Sequence, residues 1–199
     1  MTTLKELKET PSQTVGPYFA YGLCPQQYDF DFKSLFTGTL AEREAAGEHI
    51  TLIGQVFDGN GEAIGDAMLE VSQVDSEGRY PQSREEVAKT GFRGFARFGT
   101  GTDPHKRFII ETVKPGRASP EEAPHLNLIV TMRGMLLHTF TRVYFDDEAA
   151  ANDKDPVLAS VPAERRATLI AKREERGGKV AYRFDIHMQG PNETVFFDL

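Results

Sequence analysis

The chain has 199 residues, of which 39% are hydrophobic and 27% are charged, a composition that predicts one ordinary globular domain with a sizeable core. The formal net charge of −7 at pH 7 disfavours nucleic acid as a partner, because such binding depends on Lys and Arg displacing counterions from phosphates. With no signal-like or membrane-spanning apolar segment and a single cysteine, Cys24, the sequence predicts a cytoplasmic protein without membrane contact.

Residues 1–47 are predicted to form an arm and a linker that precede a β domain over residues 48–199. The first residues are polar and unpatterned, and Gly16-Pro17 then favours a turn beside two aromatic residues. A short helix is expected at 40–46, where a glycine follows the last helical residue.

From residue 49 onward, short β-rich segments alternate with turn-forming residues. The first predicted strand, 50–57, is followed by Asp58-Gly59-Asn60-Gly61, which supplies the residues that hairpin turns require. A second strand is predicted at 67–74, before another turn-forming run. Six further strands are predicted at 95–98, 107–113, 126–132, 136–145, 180–189 and 194–198. Short strands at this spacing predict a mainly β fold, either a sandwich or a barrel.

Two helices are predicted to interrupt the strands, so that a helical insert occupies about 146–176. The first, at 146–152, opens with Asp146-Asp147-Glu148, whose carboxylates complement the positive end of a helix dipole. The second, at 162–174, begins with a proline and is followed by Gly177-Gly178. Acidic residues here and in the Asp58 turn lack the ligand spacing of a calcium loop, so a helix cap and a hairpin turn are the favoured interpretations.

Histidine and arginine are the residues whose position suggests chemistry. The five histidines include no His-x-His pair and no pair at helical i, i+4 spacing, so by themselves they predict no metal site. His125, taken alone, is an ordinary histidine on a partly buried strand. Arg133 falls between two apolar strands, where its guanidinium either binds a carboxylate bidentately or remains solvated, and the spacing favours neither.

Several segments along the chain match the sequence pattern of one protein family. They are TPSQTVGPY at 10–18, GEHI at 47–50, GQVFDGNG at 54–61, VKPG at 113–116, APH at 123–125, TRVYFDDE at 141–148, AYRFDI at 181–186 and ETVFFD at 193–198. Together they resemble the intradiol ring-cleaving dioxygenases, and within that family a subunit that binds no metal. The resemblance implies a two-sheet β-sandwich of transthyretin type with an N-terminal arm and short helices.

The resemblance implies a non-haem ferric iron, Fe(III), held by two tyrosines and a His-x-His pair of a partner chain, the β subunit. Here Tyr80 matches the first tyrosine and His125 matches the first histidine, but Asn127 stands where the second histidine belongs. Arg117-Ala118 lies where the second tyrosine would be, and Glu122 replaces an arginine. Tyr80, His125 and Asn127 are therefore expected to line a vestigial pocket that has neither metal nor catalytic residues.

By the same resemblance, the arm packs over the iron of the β subunit, and Thr14, Gly16, Pro17 and Tyr18 line the substrate pocket. Arg133 is expected to bind the carboxylate of the substrate, which favours protocatechuate over plain catechol. The implied reaction with O₂ cleaves the ring between the hydroxyl carbons and yields 3-carboxy-cis,cis-muconate. The implied partners are the β subunit and further αβ units of a larger oligomer.

Two alternatives remain open at this point. A β-sandwich of this shape also serves as a non-catalytic interaction module, since a fold does not determine a function. The chain would instead be a self-sufficient iron enzyme if Tyr80, His125 and either His138 or Tyr144 held the metal.

Overall fold

The computed structural model describes residues 10–198. In that part of the chain the strands are β1 (His49–Phe57), β2 (Met68–Ser72), β3 (Phe95–Gly99), β4 (Arg107–Val113), β5 (His125–Thr131), β6 (Thr139–Phe145), β7 (Ile170–Arg176), β8 (Lys179–Arg183) and β9 (Ile186–His187). The helices are α1 (Phe19–Leu23), α2 (Arg84–Thr90), α3 (Ala149–Asn152) and α4 (Pro156–Ser160), with 3-10 turns at Pro25–Tyr28, Thr100–Thr102, Asp146–Glu148 and Arg166–Leu169. None of these described helices has the length and apolar character needed to cross a membrane.

The strands form one hydrogen-bonded sheet with two halves. Their order is β3-β2-β5-β6-β7-β8-β1-β4, and β9 pairs with the end of β1. The halves meet at a short parallel pair, in which Tyr144 and Phe145 of β6 stand beside Ile170 and Ala171 of β7. Because β3 and β4 contact each other although they stand at opposite ends of this order, the sheet folds back on itself.

One apolar core lies between the two halves. Along β5, Leu126, Leu128 and Val130 belong to this core, while His125 and Asn127 alternate to the opposite face, as the two-residue period of a strand requires. Both halves contribute fully buried side chains, among them Leu52, Leu69, Val71, Phe108, Ile110, Val143, Phe145 and Tyr182. The predicted mainly β fold is confirmed, and the two halves of its sheet are joined through β6 and β7.

The helix predicted at 162–174 is wrong. Arg166–Leu169 is a 3-10 turn, and Ile170–Arg176 is strand β7. β7 pairs with β6 at its start and with β8 along the rest of its length, and this tertiary pairing outweighs local helix propensity. Gly177 and Gly178 both have positive φ, 58° and 74°, and they form a tight turn between β7 and β8 instead of ending a helix. Helical structure after β6 is thus confined to short pieces ahead of β7.

Two other predictions also differ from the structure. The helix predicted at 40–46 is wrong, because Ala41 forms an isolated β-bridge with Phe92 and both side chains are buried in a small apolar cluster. The strand predicted at 194–198 is reduced to one isolated bridge that Phe197 makes with the start of β6. In both segments, contacts with distant parts of the chain determine the backbone path.

The helix predicted at 146–152 is confirmed as a 3-10 turn followed by α3. Phe145 and Glu148, the cap residues of the two helical pieces, make no side-chain capping hydrogen bond, and the carboxylates at this place contact the sheet. Lys114 Nζ lies 2.9 Å from Asp147 Oδ2 and 2.8 Å from Glu148 Oε1. The hydroxyl of Tyr182 on β8 also donates a 2.8 Å hydrogen bond to Asp147. These contacts fasten the start of the helical segment to the half of the sheet that contains β1, β4 and β8.

Helix α2 was not predicted from the sequence. The backbone N–H of Glu86 donates a 3.1 Å hydrogen bond to Ser83 Oγ, and the Glu86 carboxylate accepts a 2.7 Å hydrogen bond from the N–H of Gln82. The first bond is that of a capping box, whereas the second goes to Gln82, the residue before the cap, and not to Ser83 itself. Gly91 follows with φ of 69°, the left-handed conformation that is common at the end of a helix. The Ser-x-x-Glu spacing is the signal in the sequence that indicates this helix.

Gly54 lies in β1 at a place where no side chain fits. A Cβ atom there would lie 1.7 Å from the carbonyl oxygen of Phe184 and 2.7 Å from the ring of Phe108. We expect Gly54→Ala to lower the free energy of unfolding by about 3 kcal/mol, because overpacking must displace backbone as well as side chains. Urea unfolding followed by circular dichroism measures the change. Gly22→Ala is the control, since an added Cβ there meets no atom within 4 Å; equal stability of the two variants would contradict the expectation.

Candidate functional site

The N-terminal arm and the connection between β5 and β6 meet at one place on the surface. The backbone N–H of Gly134 donates a 2.7 Å hydrogen bond to Thr14 Oγ1. Beside this bond, Val15 and Leu136 help to line a groove of about 210 Å³. The structure therefore brings Thr14 of the arm close to the backbone that carries Arg133, although the two lie far apart in the sequence.

Gly16, Pro17 and Tyr18 form an exposed turn at the start of α1. The N–H of Phe19 donates a 3.1 Å hydrogen bond to the carbonyl oxygen of Gly16, so the chain turns at the predicted Gly-Pro pair. Tyr18 is 75% exposed, and its ring makes an edge contact with Tyr21, with 5.4 Å between the ring centroids. An aromatic ring with this exposure is available for contact with a ligand or a second chain.

Arg133 projects from the β5–β6 connection with 65% of its side chain exposed. Its Nε lies 2.6 Å from Oδ2 of Asp66, whose side chain is 14% exposed. Asp66 was not among the predicted site residues, because only the pairing of β2 with β5 shows what stands opposite Arg133. The guanidinium is thus neither fully solvated nor buried, and its proposed role in substrate binding stays a prediction.

The loops around Gly78 and Arg117 match, by the family resemblance, the loops that carry the tyrosine ligands of iron in the β subunit. In this chain the two loops pack against each other. The N–H of Gly116 donates a 2.8 Å hydrogen bond to the carbonyl oxygen of Asp75. Gly78 has φ of 85°, and a Cβ there would lie 2.0 Å from the carbonyl oxygen of Arg117, so the close approach requires glycine. Tyr80 follows this turn and is exposed. The loops keep their packing although an arginine occupies the region where the second tyrosine was expected.

His125 and Asn127 lie on the face of β5 that points away from the main core. Nδ1–H of the buried His125 ring donates a 2.9 Å hydrogen bond to the carbonyl oxygen of Ala123. Burial lowers the pKa of His125 below its ordinary value of 6.5, so the ring is neutral at pH 7. Asn127 stands between Ser72 of β2 and Arg142 of β6. Its buried Oδ1 has no hydrogen-bond partner within residues 10–198.

The charged and hydroxyl groups around His125 pair with one another. Arg142 Nη1 donates a 3.1 Å hydrogen bond to Glu122 Oε1, and both side chains are mostly buried. The Tyr144 hydroxyl donates a 3.0 Å hydrogen bond to the fully buried Asp155, which also accepts from two backbone N–H groups at 2.8 Å. Burial raises the pKa of Tyr144 well above its ordinary value, so this hydroxyl keeps its proton. Apart from Oδ1 of Asn127, these polar groups are therefore satisfied within the chain.

Solved structures with the same fold are intradiol and related dioxygenases. The dioxygenase domain of a carbohydrate-binding fusion protein from Streptomyces sp. SirexAA-E superposes with a TM-score of 0.62 at 22% identity, covering 94% of this chain and all of that one. The intradiol ring-cleavage dioxygenase of Tetranychus urticae gives a TM-score of 0.60 at 15% identity, covering 79% and 88%. At these identities the likeness shows the fold alone, which agrees with the one expected from the sequence.

Sequence comparison identifies the family. The family model described as Dioxygenase matches residues 16–190. The chain is 68% identical to the protocatechuate 3,4-dioxygenase alpha chain of Burkholderia cepacia over the full length of both proteins. It is 46% identical to the alpha chain of Pseudomonas putida, over 96% of this chain and 97% of that protein, and 28% identical to the beta chain of Burkholderia cepacia, over 94% and 83%. The chain therefore belongs to the intradiol ring-cleaving dioxygenase family, as its sequence segments predicted.

Intradiol dioxygenases use non-haem iron, and the corresponding residues of this chain do not fit that metal. Ferric iron prefers anionic oxygen and imidazole ligands, whereas Asn127 offers a neutral amide. Tyr80 and His125 remain, but the alternative ligand Tyr144 is hydrogen bonded to Asp155. Across residues 10–198, no group of three or more His, Cys, Asp or Glu side chains is arranged to hold a metal ion. The donors needed for an iron centre are therefore incomplete at this place.

The buried neutral ring of His125 makes the stability of the fold depend on pH. Because burial holds its folded pKa below the unfolded value of 6.5, the unfolded chain binds more protons as the pH falls through that value. We expect the free energy of unfolding to be highest above the unfolded pKa and to decrease as the pH falls towards the folded pKa. In His125→Gln this decrease should be smaller.

Urea unfolding at about pH 7.5 and about pH 5.5, on either side of the histidine titration, measures this dependence. His105→Gln is the matched control, since that histidine is exposed and should leave the wild-type decrease intact. The same pH dependence in wild type and His125→Gln would show that His125 is not its source.

Proposed function

We propose that this chain is the non-metal-binding α subunit of a protocatechuate 3,4-dioxygenase. The observation that carries the proposal is the 68% identity with an alpha chain over the full length of both proteins. The weaker similarity to a beta chain supports a heteromeric enzyme in which two related folds pair with each other. Assembly of several αβ units in the cytoplasm is part of the same proposal, and the unpaired Cys24 thiol is compatible with a reducing compartment.

In this proposal the non-haem Fe(III) belongs to the β subunit. Asn127 and Arg117 support this assignment, because neither side chain is a suitable ligand for ferric iron. The iron, when bound there, makes the catechol reactive towards O₂, and protocatechuate is cleaved to 3-carboxy-cis,cis-muconate. The part of this chain is to complete the pocket in which the substrate is bound and oriented.

Residues 1–47 are proposed to pack on the β subunit, and residues 48–199 to form the β domain. Of the nine large hydrophobic side chains that are exposed within residues 10–198, six lie in the arm, namely Tyr18, Phe19, Phe30, Phe32, Leu35 and Phe36. Leu136 and Leu137 are also exposed, close to Arg133 in the β5–β6 connection. Since burying one large apolar side chain contributes about 1.5–3 kcal/mol, cover from a partner chain is favoured in both places.

Thr14, Gly16, Pro17, Tyr18 and Arg133 are proposed to line the substrate pocket from the side of this chain. The guanidinium of Arg133 would bind the carboxylate of protocatechuate with charge-assisted hydrogen bonds. A catechol without a carboxylate gains nothing from this contact, which gives the enzyme its preference. Support comes from the exposure of Arg133 and from the hydrogen bond that ties Thr14 to the next residue, Gly134.

The proposal is tested by purifying the chain alone and together with a co-expressed β subunit. We expect the isolated chain to bind no stoichiometric iron, to lack a visible tyrosinate-to-iron absorption band and to consume no oxygen with protocatechuate. The αβ complex should bind stoichiometric iron, show the absorption band and consume oxygen with protocatechuate. Iron and the absorption band in the isolated chain would overturn the assignment of the metal to the partner, whereas an inactive complex with iron bound would overturn the proposed substrate.

Replacing Arg133 tests the proposed carboxylate contact within the αβ complex. We expect Arg133→Ala to raise the KM for protocatechuate about 10- to 100-fold, as is typical when a hydrogen-bonded charged partner is lost, with a smaller effect on kcat. Oxygen uptake measures both constants. Arg93→Ala is the control, since that exposed arginine pairs with Glu42 at 2.7 Å elsewhere on the surface. An unchanged KM in Arg133→Ala would remove Arg133 from the pocket.

A further inference from the structure

The pairing of β2 with β5 sets an acidic residue opposite Arg133. The register of this antiparallel pair runs from Ser72 beside Asn127 to Met68 beside Thr131. Beyond this last pair, the chain brings Asp66, two residues before Met68, into contact with Arg133, two residues after Thr131. We propose that Asp66 is a positioning residue, which orients the guanidinium of Arg133 for recognition of a carboxylate on the substrate.

The contact between these side chains is a close ion pair, and the buried Oδ2 of Asp66 has no hydrogen-bond partner within residues 10–198. Nε of Arg133 lies 2.6 Å from Oδ2 of Asp66. A guanidinium is planar and carries N–H groups along more than one edge. Because the ion pair is made through Nε, the terminal nitrogens at the far end of the group lie outside this contact. They form the edge that suits a second carboxylate in a bidentate contact.

The backbone that carries Asp66 is firmly held, so its carboxylate is a fixed reference point. The adjacent Ala67 is fully buried, and its carbonyl oxygen accepts a 2.9 Å hydrogen bond from the N–H of Thr100. Asp66 itself is 14% exposed at its side chain, whereas Arg133 is 65% exposed. The flexible partner of the pair is therefore the arginine, and the aspartate restricts it.

The chain beyond Arg133 is held independently by the arm. The N–H of Gly134 donates to Thr14 Oγ1, and Gly134 has φ of 92°, a conformation in which glycine is strongly favoured. Arg133 is thus restrained through its side chain by Asp66 and through its following residue by Thr14. The arm therefore holds the backbone next to Arg133, and Asp66 contacts the Arg133 side chain.

Asp66 has two opposing effects on a bound carboxylate, and one of them dominates. Its negative charge repels a second carboxylate, but the exposed position of Arg133 lets solvent screen that repulsion. The restriction of a long arginine side chain to one orientation is not screened, and it removes conformational freedom that binding would otherwise have to remove. Orientation therefore outweighs repulsion, and loss of Asp66 weakens carboxylate binding.

The inference rests on the proposed role of Arg133 and is tested in the αβ holoenzyme with two competitive inhibitors, 4-hydroxybenzoate and phenol. We expect Asp66→Ala to raise the inhibition constant of 4-hydroxybenzoate on the order of fivefold, the upper range for one exposed ion pair. Phenol binding and kcat should stay unchanged. Asp66→Asn keeps the size of the side chain but removes the charge that pairs with Arg133, so it should also weaken 4-hydroxybenzoate binding and leave phenol binding unchanged.

Other outcomes distinguish a loss of Arg133 orientation from an effect of the Asp66 charge and from a defect in folding. Tighter or unchanged 4-hydroxybenzoate binding in Asp66→Ala overturns the inference, and so does an equal loss for both inhibitors, which indicates general damage. If Asp66→Ala does not assemble with the β subunit, Asp66→Glu replaces it; the displaced carboxylate should also weaken only the carboxylated inhibitor, and wild-type binding would refute the role. Glu175→Ala, which removes an exposed carboxylate that pairs with Arg173 at 3.3 Å outside the arm, is the matched control and should change neither constant.

Arg133→Ala distinguishes a failure of this inference from a failure of the proposed function. If Arg133→Ala leaves the preference for 4-hydroxybenzoate over phenol intact, both the pocket assignment and the role of Asp66 are wrong. If Arg133→Ala abolishes that preference while Asp66→Ala does not reduce it, only the inference about Asp66 is wrong. In the double variant, loss of Asp66 should have no further effect on the preference, because the group that it orients is absent.

Discussion

The antiparallel pairing of β2, β5 and β6 is the constraint on which the arrangement of the candidate site depends. It places His125 beside Tyr144 and, continued past the last bridge between β2 and β5, Asp66 opposite Arg133. A shift of one residue would turn these polar side chains into the core. The apolar residues on the other face of β5, which include Leu128, oppose such a shift because they fill the core between the two halves of the sheet. Core packing therefore sets the positions of polar groups that take no part in the core.

The charged and hydroxyl groups around His125, where the family resemblance predicts a vestigial pocket, pair with one another within the chain. Glu122 pairs with Arg142, and Asp155 accepts hydrogen bonds from the Tyr144 hydroxyl and from two backbone N–H groups. Buried polar groups that lack partners are costly, and these contacts satisfy most of those groups within the chain. The part of the chain that stays open to another molecule is the arm together with the β5–β6 connection. This division agrees with the proposal that the chain contributes to a pocket centred on a partner.

Sequence reasoning succeeded where a signal is local or where long segments match a family. The turns at Asp58 and at Gly16-Pro17 need only neighbouring residues, and both occur as hydrogen-bonded turns. It failed at 162–174, where helix-forming residues precede two glycines and the chain nevertheless forms β7 and a hairpin turn. β7 exists because strands distant in sequence offer it hydrogen-bond partners on both sides, and no window of residues contains that information.

The sequence by itself determined the mainly β class and the family. It also predicts the loss of an iron ligand, because Asn127 stands where the family resemblance places a histidine. It also singled out Thr14 and Arg133, whose role in substrate binding stays a prediction. Only the tertiary structure decided that Thr14 bonds to the residue after Arg133 and that Asp66 stands opposite it. Both contacts join segments that are far apart along the chain, and the register of paired strands, set by burial of their apolar faces, is what brings them together.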